Sequence, residues 1–211
     1  MCFSATASFV ASGAIGGVAV AGSRNVRSRR SLPLVLIPFI LALQQATEGI
    51  VWISLSYPFI NGIAAKIYLF IAYAFWPAFL PLAVYLEEKM DERKTYLLPF
   101  VVGGSLVGLY GLIYAVFAFT SVVPSCGSLF YQFPALSMVF SVMYVFVCCT
   151  SCLLSGSRWL NLFGLALFGS FIFAYAISYQ TGDSVWCFFA GLLSWMIYMH
   201  FRSEGKTPRA A

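Results

Sequence analysis

The chain has 211 residues, of which 61% are hydrophobic, 18% are aromatic and only 9% are charged, and its mean hydropathy is +0.89. A soluble domain carries about 25% charged residues, so this composition excludes an ordinary soluble domain. It indicates a polytopic membrane protein folded as a single transmembrane domain over residues 1–211. The net charge of +5 suggests no nucleic-acid partner, because the basic residues lie in short segments between apolar runs, where they set membrane orientation.

Seven apolar runs approach or exceed the length that crosses a bilayer, which is about 20 residues of helix. They predict an all-α fold with seven transmembrane helices. The first run has no basic residue before it and four arginines after it, which favours a retained helix over a cleaved signal peptide. The predicted spans are 5–22, 32–56, 63–86, 97–120, 135–155, 159–179 and 183–201.

Lysine and arginine residues are distributed unevenly between the two sides of this predicted bundle. Eleven of the 12 follow the first, third, fifth or seventh run, and only Lys66 stands on the other side. Loops rich in Lys and Arg stay in the cytoplasm. The sequence therefore predicts an outside N-terminus and a cytoplasmic C-terminus.

The second run contains a carboxylate, Glu48. An ionisable side chain near the middle of a spanning helix costs about 2.5–3.5 kcal/mol on insertion scales, and such residues usually face the interior of a bundle. Helical spacing places other polar groups on roughly the same face, and these are Gln44, Gln45 and Trp52. We predict that this face binds a ligand or an ion. The alternative is a purely structural carboxyl that is protonated or paired with Lys66.

Other candidate pocket residues have the same predicted depth, in the outer half of the bundle. These are Lys66, Tyr175, Asp183 and Cys187. Together with the face around Glu48 they predict one outward-facing polar pocket.

Three cysteines, Cys2, Cys126 and Cys187, are assigned to the outer side. A disulfide, a thiophilic metal such as Cu or Zn held with Glu48, and ordinary packing are all open for them. We predict that Cys2 and Cys187 lie close together. The C-x-x-C pair at 149 and 152 has no redox context, so packing is the expected role.

The sequence lacks the residues that several classes of membrane protein and enzyme require. His200 is the only histidine, which excludes a zinc hydrolase with several histidine ligands. The seventh run contains no lysine for a retinal Schiff base. No motif that pairs a serine nucleophile with a histidine base is apparent in the sequence.

Two glycine motifs predict close helix packing. They are Gly13-x-x-x-Gly17 in the first run and Gly104-x-x-x-Gly108 in the fourth. We expect both faces to pack within one bundle, and the alternative is an interface in a homo-oligomer.

Four stretches of the sequence carry a resemblance to a known family. They are Met1-Cys2-Phe3-Ser4-Ala5-Thr6-Ala7-Ser8-Phe9, Gln44-Gln45-x-x-Glu48-Gly49, Trp76-Pro77 and Ser184-Val185-Trp186-Cys187-Phe188-Phe189-Ala190. With them the chain resembles an uncharacterised family of small bacterial integral membrane proteins. The resemblance implies a bacterial seven-helix protein in the cytoplasmic membrane, and it implies no activity.

The leading functional hypothesis is that the outer pocket binds or translocates a small solute or cation, linked to proton movement through Glu48. A membrane-embedded thiol or metal enzyme that uses Cys2, Glu48 and Cys187 is the alternative, so enzymatic activity is left open. A seven-helix receptor or sensor is a third possibility. The expected partners are membrane lipid and a small solute or ion.

Overall fold

The computed structural model describes residues 4–26, 28–117, 121–125, 127–132, 138–177 and 181–204, without the side chains of Met138, Asp183 and Glu204. Cys2 and Cys126, for which a disulfide, a metal or packing was considered, lie outside these residues.

The described part of the chain is mostly helical. A short 3₁₀ turn, Arg29–Ser31, leads into α2, and a π-helical stretch, Phe70–Phe75, joins α3 to α4 and is called the π segment below. The helices are α1 (Ala5–Ser23), α2 (Leu32–Ile53), α3 (Pro58–Leu69), α4 (Trp76–Glu87), α5 (Asp91–Phe117), α6 (Met138–Leu153), α7 (Arg158–Ile177), α8 (Gly182–Leu193) and α9 (Trp195–Glu204).

Within the described residues, six helical stretches are long and apolar enough to cross a membrane. A seventh, Val139–Leu153, is equally apolar in character but shorter. This confirms the all-α fold, and six to seven of the predicted helices are present with the length and apolar character of membrane spans. The stretches are Ala5–Ser23, Arg29–Ile53, Pro58–Glu87, Asp91–Phe117, Arg158–Ile177 and Ser184–Ser203.

The predicted start of the fourth span, at residue 97, was too late. The helix begins at Asp91, and Asp91 and Glu92 occupy its first turn. Carboxylates there interact favourably with the N-terminal end of the helix dipole, so a polar turn extends the helix beyond its apolar part. Hydropathy alone does not detect such an extension.

The π segment changes the hydrogen bonding of the third span just before a proline. The N–H of Trp76 donates to the carbonyl of Ile71, one residue further back than in an α-helix. In this register the carbonyl of Ala72 faces Pro77, which has no N–H to donate. The hydroxyl of Tyr144 on α6 donates to it instead, at 2.8 Å. The irregular backbone is thus satisfied by a neighbouring helix, which is the way such backbone is tolerated in helices that span a membrane.

Three glycines of α5, Gly104, Gly108 and Gly111, lie against the backbone of this irregular helix. A Cβ on Gly104 would lie 2.0 Å from the carbonyl oxygen of Pro77, and one on Gly108 would lie 2.5 Å from that of Ala74. Only glycine lets the two backbones approach so closely. The prediction that the fourth span packs within the bundle through its glycines is confirmed.

The same prediction is wrong for the first span. Gly13 and Gly17 are exposed, and a Cβ on either would have no heavy atom within 4 Å in the described structure. Spacing alone does not say whether a small-residue face meets a partner, and within this chain α1 packs on α2 through other residues. One such contact is the Phe9 ring, which lies where a Cβ on Gly49 would be, at 2.8 Å.

A β-hairpin, which the sequence analysis did not predict, follows α5. Its antiparallel strands are β1 (Ser121–Ser125) and β2 (Ser128–Gln132), with Ser125 opposite Ser128. Gly127 in the turn has a φ of 72°, which favours glycine. The ring of Tyr131 stacks on that of Tyr68 in α3, with centroids 4.8 Å apart and planes 2° apart. The hairpin therefore covers one end of the bundle, called the hairpin end below.

At the opposite end, Glu88 joins two connections between helices. One carboxylate oxygen accepts from the N–H groups of Lys89 and Met90, and the other accepts from the N–H of Gly156 at 2.7 Å. Burial acts to raise the pKa of Glu88, but these hydrogen bonds and the nearby Arg93 guanidinium outweigh burial and hold its pKa below the usual value of 4.5. The ionised carboxylate thus links the start of α5 to the start of α7.

Candidate functional site

Glu48 lies in the last two turns of α2, near the hairpin end, and only 3% of it is exposed. One oxygen of its carboxylate accepts from the amide Nε2 of Gln45 at 3.3 Å. The other accepts a hydrogen bond from the hydroxyl of Ser184 on α8. Both partners are neutral. The carboxyl is therefore enclosed by hydrogen-bond donors that do not compensate a full negative charge.

Lys66 does not supply that compensation. Its side chain is exposed on α3, and in the described part of the chain no ion pair joins it to Glu48. The π segment begins four residues later, and the face of α3 that meets the bundle there carries Tyr68 instead. Lys66 was predicted to line the pocket, and the structure places it outside the contacts of the carboxyl.

The other polar residues of the α2 face are buried beside Glu48 and only partly satisfied. Gln44 is fully buried, and its amide oxygen accepts from the indole N–H of Trp76 at 2.7 Å. Among the described residues, its Nε2, the Oε1 of Gln45 and the indole Nε1 of Trp52 have no hydrogen-bond partner. Buried polar atoms in native proteins nearly always have partners. This cluster therefore offers both donors and acceptors to a small polar ligand or ion.

Two tyrosines and a cysteine lie next to this site. Tyr68, Tyr131 and Cys187 lie close to one another, and both phenols are near enough to Glu48 to interact with it electrostatically. Burial raises the pKa of Tyr131 well above its usual value, and the Glu48 carboxyl and the Cys187 thiol raise it further. Ser184 and Cys187 are three residues apart on α8, so a single helix face supplies both to the site.

Tyr175 was predicted to line the same pocket and lies at its edge. Its ring packs on Phe171, with centroids 4.6 Å apart, and occupies the space that a Cβ on Gly182 would need. A cavity of about 20 Å³ brings it together with Trp186 and Cys187. The side chain of Asp183, also predicted for the pocket, lies outside the described structure.

The cavities next to the site are small. One of about 40 Å³ extends from Cys187 toward the opposite end of the bundle, between apolar side chains that include Leu41, Trp76 and Cys148. A single water needs about 10–15 Å³ in this measure. Both cavities reach Cys187, but neither is lined by Glu48, Gln45 or Ser184. In this conformation they hold at most a few water-sized species beside the site and no large solute.

No group of three or more His, Cys, Asp or Glu side chains that suits a metal occurs in the residues described. Cys149 and Cys152 are buried, free thiols, and Cys152 packs on Gly164. This agrees with the packing role expected for the C-x-x-C pair. The Cu or Zn site predicted at Cys2 and Cys187 is untested, since Cys2 lies outside the described residues.

Sequence reasoning missed three members of the site, Ser184, Tyr68 and Tyr131. Ser184 opens one of the stretches that carry the family resemblance, so its position was a signal that the sequence contained. The two tyrosines carry no such signal. Tyr131 reaches the site only because the hairpin folds over the bundle, and the hairpin itself was not predicted.

Comparison with known proteins gives one result. Neither curated proteins nor solved structures match this chain. The profile of a family described as a family of unknown function, DUF6629, matches residues 1–211, which is the whole chain. This fits the resemblance to an uncharacterised family, and the chain belongs to the family of unknown function DUF6629.

Proposed function

We propose that this protein binds or translocates a small solute or cation through the pocket around Glu48, in exchange for a proton carried by that carboxyl. One observation carries the proposal: only 3% of Glu48 is exposed, and the hydrogen-bond partners of its carboxyl, Gln45 and Ser184, are neutral. A buried carboxylate without a counter-charge is unfavourable, so the group is stable when it holds a proton or a cation. Replacement of one by the other couples cation binding to proton release.

The size of the nearby cavities supports a small ligand. The two cavities that reach Cys187 measure about 40 and about 20 Å³ and are not lined by Glu48 itself, and spaces of this size hold a few waters or a partly dehydrated metal cation. The unsatisfied amide oxygen of Gln45 is a ligand for such a cation, and the Ser184 hydroxyl adds another oxygen.

The orientation belongs to the same proposal. The protein lies in the bacterial cytoplasmic membrane with its N-terminus outside, so the hairpin end faces outward. The distribution of 11 of 12 basic residues supports this. A reporter fused after Arg209 is then cytoplasmic, and an impermeant amine reagent applied from outside labels Lys66. A periplasmic reporter would place the Glu48 pocket on the inner side.

A thiol or metal enzyme is the second candidate, because Cys187 lies beside the tyrosines that face Glu48. In that case purified protein contains a stoichiometric thiophilic metal, and Cys187→Ser loses it. If elemental analysis finds no metal in the purified protein and the protein still moves protons, the metal enzyme is excluded and proton exchange at Glu48 is favoured.

The exchange proposal is tested in liposomes that contain a pH-sensitive dye. Na⁺, K⁺ or Mg²⁺ is added outside, and proton movement is followed for wild type, Glu48→Gln and the exposed-surface control Glu92→Gln. Glutamine keeps the shape of Glu48 and removes the exchangeable proton, so we expect cation-driven proton movement in wild type and Glu92→Gln and none in Glu48→Gln. Equal signals from wild type and Glu48→Gln, or no signal from any of these cations, would overturn the proposal.

A further inference from the structure

A second cluster of reactive side chains lies at the opposite end of the bundle from Glu48. The Oγ of Ser157 lies 2.7 Å from Nδ1 of His200, and Nε2 of the same ring lies 3.1 Å from Oε1 of Glu87. A neutral imidazole with its proton on Nε2 donates to Glu87 and accepts from the serine hydroxyl. We propose that these three residues form a serine hydrolase site that cleaves carboxylic esters.

The burial of the three residues follows the demands of that chemistry. His200 and Glu87 are 2% and 7% exposed, so their hydrogen bond is shielded from water, whereas Ser157 is only half-buried. Ser157 faces a cleft of about 510 Å³, called the α7 cleft here, which Glu87 and His200 also line. A nucleophile must be reachable by substrate, while its base is best held in place by a buried partner. A purely structural trio requires no cleft.

Two further features favour catalysis over packing. The second oxygen of Glu87 is buried and has no hydrogen-bond partner among the described residues, so the carboxylate retains capacity to stabilise an imidazolium. Ser157 also directly precedes α7, and its carbonyl accepts from the N–H of Asn161 as the first bond of that helix. The N–H of Ser157 itself donates to the Ser155 hydroxyl, but the N–H groups of the first turn of α7 have no acceptor within the helix. They begin next to Ser157 and are donors of the kind that stabilise the oxyanion of a tetrahedral intermediate.

The reaction balances with water as the co-substrate. The Ser157 oxygen attacks the ester carbonyl carbon, and its proton passes to Nδ1 of His200. The C–O bond to the alcohol breaks, and the alcohol leaves with that proton. Water then attacks the acyl-serine and gives a proton to His200, which returns it to the Ser157 oxygen as the carboxylic acid departs. Glu87 positions the ring and stabilises its charged form throughout.

The charges at the mouth of the α7 cleft indicate the substrate class. Lys89 and Arg158 are exposed there, and Trp159 provides half-buried apolar surface beside them. The carboxylate of Glu88 at the same cleft is already engaged by backbone N–H groups. The exposed guanidinium of Arg158 beside Trp159 therefore suits an ester that carries a negative charge next to an apolar group. Both a phospholipid and a free anionic ester have this chemistry.

The test uses purified full-length protein and a fluorophosphonate probe, which forms a stable adduct with activated serines. Mass spectrometry should locate the adduct on Ser157, and the Ser157→Ala variant should lack it. Ser203→Ala is the matched control, since Ser203 lines the same cleft but its hydroxyl donates to the backbone carbonyl of His200 at 2.8 Å; it should label like wild type. His200→Gln should slow labelling by about 10²–10⁴-fold, the usual contribution of a general base.

Two hydrolysis assays distinguish a phospholipid substrate from a free anionic ester. Vesicles of phosphatidylglycerol test the lipid, and soluble nitrophenyl esters with and without a carboxylate test the free ester. Hydrolysis in either arm that is lost in Ser157→Ala supports the proposal, with the anionic ester preferred over the neutral one. Absence of the adduct on Ser157 of folded wild type, or labelling unchanged in His200→Gln, would overturn it. If Ser157→Ala fails to fold, the presence or absence of the adduct on wild-type Ser157 still tests the hydrolase proposal. The result does not depend on whether Glu48 exchanges protons.

Discussion

The packing of α5 on the π segment leads to a prediction that compares two adjacent glycines. A methyl group added at Gly104 would lie 2.0 Å from the carbonyl oxygen of Pro77, whereas one added at Gly103 would meet nothing closer than Val147, at 3.8 Å. Ordinary contact begins near 3.4 Å, so Gly104→Ala must separate the two backbones by about 1.4 Å. Backbone atoms cannot rotate away as a flexible side chain can.

The two substitutions should change the free energy of unfolding in opposite directions. Overpacking of a fixed interface costs about 1–3 kcal/mol, and a backbone clash of this depth belongs at the upper end, about 3 kcal/mol. Gly103→Ala gains about 0.5–1 kcal/mol, since alanine is the better helix former and finds space. The free energies of unfolding of the two variants should therefore differ by about 3.5–4 kcal/mol.

Unfolding of both variants in mixed detergent micelles measures this difference, with tryptophan fluorescence as the signal. Gly104→Ala should unfold well before wild type, and Gly103→Ala at the same point or later. Equal stability of the two variants would show that α5 does not pack on the carbonyls of the irregular helix, and the placement of the π segment would then be wrong.

Two further predictions concern single hydrogen bonds. Tyr144→Phe leaves the buried carbonyl of Ala72 without its donor and should lower the free energy of unfolding by about 1–3 kcal/mol; an unchanged stability in detergent unfolding would mean that another group satisfies that carbonyl. Because the pKa of Glu88 is lowered in the folded protein, its stabilising contribution is complete above the usual value of 4.5 and is lost as the pH falls through the lowered value. Stability measured from pH 6 to about pH 3 should fall less steeply in Glu88→Gln than in wild type or in the exposed Glu92→Gln, and parallel curves for all three would refute the assignment.

The sequence allowed the helical fold and the centre of the site to be predicted, because both depend on local patterns. Apolar runs of membrane length identify helices, and i, i+3 and i+4 spacing brings Gln45 and Glu48 together on one face of α2. A single helix determines both features, so no knowledge of its neighbours is needed. The spacing of Gly104 to Gly108 identified a close-packing face in the same way, but the same spacing at Gly13 and Gly17 met no partner in the described structure, so that kind of contact also depends on the neighbouring helix.

What the sequence did not reveal depends on how separate segments meet. Lys66 had the right charge and predicted depth to pair with Glu48, but the face of α3 that meets the bundle carries Tyr68. The hairpin that brings Tyr131 over the site lies in the connection between two predicted spans, and its five-residue strands are too short for hydropathy to identify. Ser157 and His200 are 43 residues apart in sequence, so no motif of fixed spacing joins them, and only the packing of α9 beside the start of α7 does.

The central claim is that Glu48 exchanges a proton for a cation, and proton release on cation binding measures it most directly. Purified protein in weakly buffered detergent is titrated with Na⁺, K⁺ or Mg²⁺ while a pH indicator records released protons, with Glu48→Gln and Glu92→Gln in parallel. The proposal predicts that one of these cations releases protons from wild type and Glu92→Gln, approaching one for each protein molecule, and releases none from Glu48→Gln. Release that is the same in Glu48→Gln as in wild type, or that none of these cations produces, would contradict it.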